Sequence, residues 1–261
     1  MAQITVQSVD RVLDIIEAIS RNQRPMALTE LSDAVALHKT TTYRLLNSLA
    51  ARGYVCKDEN TGYYRLTMRL LEISSRALSG HNLLTLSVPV LEKLAATTQE
   101  VVHLVIRDQD EIAYLFKHDP SNSSVRMSSH VGMHNPMYCT AVGKSILAYL
   151  PDEEIAGIFS RSSIERFTDT TLTTLPALMQ DVMATRKRGY AIDNEEHESG
   201  IRCIGATLFD YRQVPIGAIS VSAPSTRMSD IHIQKTAPLV ISAAHDISLR
   251  LGQPASTDLP I

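Results

Sequence analysis

Apolar residues near the start of the chain recur at helical spacing. Val9, Val12, Leu13, Ile16 and Ile19 place an apolar stripe on one helix from Ser8 to Ser20. Arg21 to Pro25 then reads as a loop. From Thr29 to Gly53 the pattern describes two short helices and a tight turn. Thr29 is the expected cap of the first, with Leu31, Ala34 and Val35 on one face. Ala36-Leu37-His38 interrupts that face, and the second helix runs from Lys39 with Leu45, Leu46 and Leu49 inward and Gly53 as its stop. Two β-prone runs follow, Tyr54 to Lys57 and Tyr63 to Leu66, around a turn-forming stretch ending in Gly62. Helix, helix-turn-helix and hairpin in this order describe a winged helix.

The remaining pattern alternates between the two periods. Thr67 to Ser79 and Leu83 to Thr97 are helical, with Pro89 expected to kink the second or mark a new start. Val101 to Ile106 and Ile112 to Phe116 read as a hairpin, and Ser124 to Val131 as a further strand. Helices are expected from Thr140 to Leu150, Asp152 to Phe159 and Pro176 to Lys187, and in the tail from Ser229 to Leu251. Cys203 to Phe209 and Pro215 to Ser222 form a second hairpin. The fold class expected is α/β (α+β), with a largely antiparallel sheet flanked by helices. The domains expected are a winged helix-turn-helix over 1–67, a rigid connector helix over 68–80, and an α/β domain over 81–261.

Charge sharpens the first of these. The net charge of −3 argues against a general polyanion binder. Residues 1–67 hold 8 Lys+Arg against 7 Asp+Glu, and residues 68–261 hold 17 against 21. Affinity for DNA must therefore come from a local patch, doubled by dimerisation. That patch is Lys39, Thr40, Thr41, Tyr43 and Arg44 on the solvent side of the second helix, where a helix-turn-helix meets the major groove. Lys57 and Arg65 flank the wing within reach of phosphates. No apolar run approaches 18 residues and the N-terminus lacks a signal-peptide core, so a cytoplasmic protein is expected. Three widely spaced cysteines, Cys56, Cys139 and Cys203, fit reduced thiols.

The chain resembles the IclR family of bacterial transcription regulators over about 8–252. The segments that carry the resemblance are Ser8 to Arg11, His38 to Leu46, Gly53 to Val55, Tyr64 to Thr67, Tyr138 to Lys144, Asp193 to Cys203 and Ile219 to Ser222. Asn135 to Tyr138 and Asp193 to Glu196 resemble the branch that governs sugar-acid (pectin) breakdown and responds to 2-keto-3-deoxygluconate. The resemblance implies a GAF-like effector domain after the winged helix, a repressor of a catabolic operon, and dimers assembling to tetramers on palindromic operator DNA. It further implies effector contacts at Asn135, Ala141, Val142, Asp193, Ile201, Cys203, Ser220 and Ser222. His38 and Thr42 depart from the family's usual serine and valine.

Physical chemistry supports several of these positions independently. A helix starting near Thr140 offers the backbone N–H groups of Ala141 and Val142 to a small carboxylate. Ser220 and Ser222, two apart on a strand, share one face. Asp193 is suited to accept from a sugar hydroxyl at the end of the ligand far from its carboxylate. Gly143-Lys144-Ser145 is not a P-loop, because the glycine needed five residues earlier is Tyr138. Two alternatives use the His/Cys set: a zinc-dependent sensor through His130, His134, Cys139 and Cys203, and an enzyme with a Cys203–His197 nucleophile. Both lack the expected surroundings, four well-placed ligands for the first and an oxyanion loop for the second. A regulator without cofactor, metal or catalytic residue, and with no membrane partner, is the expectation.

Overall fold

The computed structural model describes residues 6–22, 24–73, 83–120 and 127–254. The chain forms two compact units, Met1–His81 and Asn82–Ile261. In the first, α1 (Gln7–Asn22), α2 (Leu28–Ala34) and α3 (Lys39–Ala51) pack beside a two-stranded antiparallel sheet of β1 (Val55–Lys57) and β2 (Tyr64–Leu66). Ile15, Ile19, Leu31, Leu46, Leu49, Val55 and Tyr64 make its core. The buried stripe of α1 thus includes Ile15, whereas Val9 and Leu13 are 53% and 51% exposed. The helix is apolar on two sides, and only one is used within the unit.

Thr29 does not cap α2. The helix starts at Leu28, and the Glu30 carboxylate accepts the Ala27 N–H at 2.9 Å, supplying the partner that the free helix end needs. Between α2 and α3 the chain turns through Ala36 at φ 51°, with the Leu37 N–H donating to the Ser32 carbonyl. His38 precedes α3 without a side-chain bond to it. Thr42, fully buried, turns its hydroxyl back onto the His38 carbonyl at 3.3 Å. The wing turn is closed by Asp58, whose Oδ1 accepts from the amides of Asn60 and Thr61 and from the Thr61 hydroxyl. Residues 69–73 are helical; the rest of the expected connector helix lies outside the described residues.

The second unit is built on a six-stranded antiparallel sheet in the order β5-β4-β3-β8-β7-β6. The strands are β3 (Val101–Asp108), β4 (Glu111–His118), β5 (His134–Pro136), β6 (Ala191–Asn194), β7 (Ile201–Phe209) and β8 (Pro215–Pro224). Even-numbered residues of β3 and β7 and odd-numbered residues of β8 face α4 (Leu83–Thr98) and α8 (Asp230–Arg250). The opposite face carries α5 (Ala141–Leu147), α6 (Asp152–Arg161) and α7 (Leu175–Arg188). Pro89 and Pro238 lie inside α4 and α8 without ending them. The cost of each lost backbone bond is offset by burial of Leu91 and Leu94 in one helix and Val240 and Ile247 in the other. The strand expected over 124–131 is not formed at 127–131, and its first residues lie outside the described ones. His134 to Pro136 form a short strand that pairs with β4.

Candidate functional site

In the first unit, α3 shows one solvent side. Lys39, Thr40, Tyr43 and Arg44 are exposed and Thr41 is half-buried, while Thr42, Leu46 and Leu49 point inward. The five expected DNA-contact positions on α3 therefore lie on the helix's outer surface and first two turns. Lys57 and Arg65 are exposed on β1 and β2, and Arg65 stands opposite Cys56. The Lys57 ammonium lies 5.8 Å from the centre of the Tyr64 ring.

In the second unit, strand register builds a polar patch on the face beneath α5. His103, Ser220 and Gly205 stand directly opposite one another across β3, β8 and β7. One step along, Ser222, Cys203 and Asp193 do the same across β8, β7 and β6. Two rows of alternating residues thus converge because the side-chain period of a strand is two. Gly205 has a steric reason. A Cβ there would stand 2.5 Å from the Ala141 carbonyl oxygen and 2.9 Å from the Val142 nitrogen. Its absence lets the first turn of α5 settle onto the sheet. The Thr140 hydroxyl caps that turn by accepting the Gly143 N–H at 3.1 Å, so the amides of Ala141 and Val142 have no intrahelical partner.

A cavity of about 40 Å³ remains among these groups, lined also by Tyr114, Asn135, Ile201, His197 and Glu198. That is room for about three ordered waters. Every effector position expected from sequence lies on its wall: Asn135, Ala141, Val142, Asp193, Ile201, Cys203, Ser220 and Ser222.

Six lining residues were not foreseen: His103, Tyr114, Met127, Ser128, Ser129 and Glu198. His103 is buried and bonded on both ring nitrogens, to Ser220 at 3.2 Å and Ser129 at 2.9 Å. Burial, helped by Lys117, holds its pKa down to about 3, so the imidazole is neutral. Its position within an apolar strand run was the one signal available. Asn135 donates to the Tyr114 hydroxyl at 3.3 Å.

Asp193 is buried, and its carboxylate accepts the Glu196 N–H at 2.7 Å. Burial first, and then the neighbouring Glu196, raise its pKa to about 7 against the pull of Lys144 and two backbone amides. Beneath it, fully buried Lys144 pairs with Glu196 at 2.5 Å and Asp181 at 2.8 Å. Burial alone would lower the lysine's pKa, but Glu196 and Asp181 reverse that and keep it charged. The lysine of the failed P-loop motif is thus a buried counter-ion.

The two alternatives find no support in this geometry. Burial and Asp193 push the Cys203 thiol well above its usual range, the reverse of an activated nucleophile. His134 pairs with Asp108 at 2.8 Å and His130 lies against the Ser128 carbonyl. Among the described residues no cluster of His, Cys, Asp or Glu is arranged to hold a metal ion.

A helix-turn-helix with a wing in one unit, and a polar cavity over an antiparallel sheet in the other, define a ligand-responsive DNA-binding protein. Comparison with known proteins agrees. Residues 8–59 match the IclR helix-turn-helix domain and residues 75–249 match the bacterial transcriptional regulator IclR C-terminal domain. The chain is 36% identical over 248 residues to the HTH-type transcriptional regulator KdgR of Escherichia coli K12, covering 95% of this chain and 94% of that one. It is 34% identical to the transcriptional repressor IclR of the same organism, over 95% and 90% of the two chains. The crystal structure of Thermotoga maritima IclR superposes with a TM-score of 0.82 at 28% identity, over 94% of this chain and 99% of that one. The C-terminal domain of Escherichia coli KdgR matches 66% of this chain with a TM-score of 0.60 at 33% identity. The chain belongs to the IclR family of bacterial transcriptional regulators. It is a DNA-binding regulator of transcription with an effector domain, in a family of regulators and not of enzymes. Among the described residues no helix is long and apolar enough to cross a membrane.

Proposed function

We propose that the protein is a cytoplasmic repressor of a catabolic operon that answers to a small carboxylic acid. Residues 1–67 read the operator, 68–80 connect, and 81–261 hold the effector. Lys39, Thr40, Thr41, Tyr43 and Arg44 meet the major groove, with Lys57 and Arg65 on phosphates; their shared exposure supports this. Two copies pair through the region around Met68 and Leu71, which are 73% and 56% exposed, and dimers assemble to tetramers on a palindromic site.

The observation that carries the effector reading is the convergence of the free Ala141 and Val142 amides with Ser220 and Ser222 in one buried cavity. The amides receive a carboxylate without a buried cation, and the hydroxyls orient the remaining oxygens. As built, the cavity suits a two- or three-carbon keto acid. The likeness to KdgR favours a six-carbon sugar acid as the larger candidate. Thermal denaturation with glyoxylate, pyruvate and 2-keto-3-deoxygluconate tests this, since an acid at a hundredfold its Kd stabilises by about 2.7 kcal/mol. One of these should raise the Tm, and Ser220→Ala should reduce that rise. No shift with any acid refutes the assignment.

A further inference from the structure

The carboxyl groups under the cavity outnumber the cations that serve them. Lys144 pairs with Glu196 and Asp181, and Arg188 approaches the other Asp181 oxygen at 3.3 Å. Two cations thus balance two carboxylates, and Asp193 is left over. Among the described residues no lysine or arginine lines the cavity, and the only other acidic group among them that does is Glu198, whose Oε2 lies 3.5 Å from the Ser128 hydroxyl. A ligand carboxylate entering beside an ionised, buried Asp193 would place two uncompensated negative charges side by side in a confined cavity.

We infer that the pocket takes its acid effector together with one proton, held on Asp193, so that a monocarboxylate is accepted and a dicarboxylate rejected. This rests on the acid-binding reading above. The proton comes from solvent. Once protonated, Asp193 changes from acceptor to donor and hydrogen-bonds a ligand oxygen instead of repelling it. Each further carboxylate would bring a further negative charge, and the cavity's other acidic side chain, Glu198, supplies no positive charge to offset it.

The groups facing Asp193 agree. From its own turn come Glu196, His197 and Glu198, and from β7 the neutral Cys203 thiol. The un-ionised Tyr114 and Cys139, whose pKa values burial raises, stand on β4 and ahead of α5. From α5 comes Lys144, already paired, and from β3 neutral His103. Lys117 lies behind the 127–129 segment, its ammonium donating to the Met127 and Ser129 carbonyls and pairing with Asp119. The free Asp193 carboxyl has a pKa of about 7, so at pH 8 it is largely ionised and must regain a proton on binding.

Calorimetry on the full chain with pyruvate and with 2-keto-3-deoxygluconate, at pH 8 in phosphate and in Tris, tests this. The binding enthalpy should differ between the buffers by the uptake of close to one proton. Kd should rise up to about tenfold per pH unit above pH 7. Asp193→Asn should lose both effects, and succinate should bind more than tenfold more weakly than the monocarboxylate of best affinity. If the variant does not fold, the ¹³C carboxyl resonance of Asp193 in the native protein decides: its titration midpoint should rise above pH 8 when the acid is bound. Acid binding with equal enthalpies in both buffers overturns the inference and leaves the acid pocket standing. Binding by neither acid overturns both.

Discussion

Asp193 ties folding to pH as well as binding to charge. Its pKa lies at about 7 in the folded chain against an ordinary 3.8. Between those values the folded protein holds a proton that the unfolded chain has released. Stability from this group is therefore fully present below about pH 4, falls as pH rises to 7, and is level above that. Urea unfolding of the effector unit across pH 5 to 8 should show the decline, and Asp193→Asn should flatten it. Gly205 acts by volume alone. Gly205→Ala places a carbon 2.5 Å from the Ala141 carbonyl oxygen, and backbone cannot yield as a flexible side chain does. A loss of about 1–3 kcal/mol in unfolding free energy is expected, with loss of effector binding. Residue by residue, the pattern was partly legible. The period of two put Ser220 and Ser222 on one face, as observed. It gave no reason to bring His103, 117 residues away from Ser220, against the serine's hydroxyl.

Elements carry the DNA reading. The α3 helix presents its polar positions at the spacing its apolar ones leave free, and the wing is held in shape by three bonds to one Asp58 oxygen. Arg65→Ala removes a phosphate contact and should weaken binding evenly across sequences, lowering the salt dependence by about one unit of slope. Thr41→Ala and Arg44→Ala should instead change preference among sequences. A filter-binding series in salt separates the two outcomes. Helix ends were the least legible feature. Thr29 has the side chain of a cap, but Glu30, held by Arg24 at 2.9 Å, supplies the bond. A carboxylate three residues on can do the work of a hydroxyl at the end.

At the scale of the whole molecule, the exposed apolar residues matter most. Val9, Leu13, Met68 and Leu71 are all more than half exposed in the first unit, more than one chain's own core accounts for. If they form the pairing surface, Met68→Glu with Leu71→Glu should convert the assembly to monomers in sedimentation at micromolar concentration. Tight binding to a palindromic site should then be lost, while the helix content stays unchanged. A native chain that sediments as a monomer and still binds tightly would dispose of the pairing.

The sequence by itself determined the kinds of elements and the faces they bury, because periods of 3.6 and 2 are written in neighbouring residues. It also supplied the resemblance that named the effector positions, all of which line one cavity. Only the tertiary structure decided what those residues meet. Lys144 reads as part of a misleading Gly-Lys-Ser run, yet it is buried against Glu196, 52 positions later. The cavity's size, the neutral state of His103 and the raised pKa of Asp193 have the same origin. Each depends on how much water is excluded and which charges come close, and that is set by strand pairing over long separations, which no local pattern records.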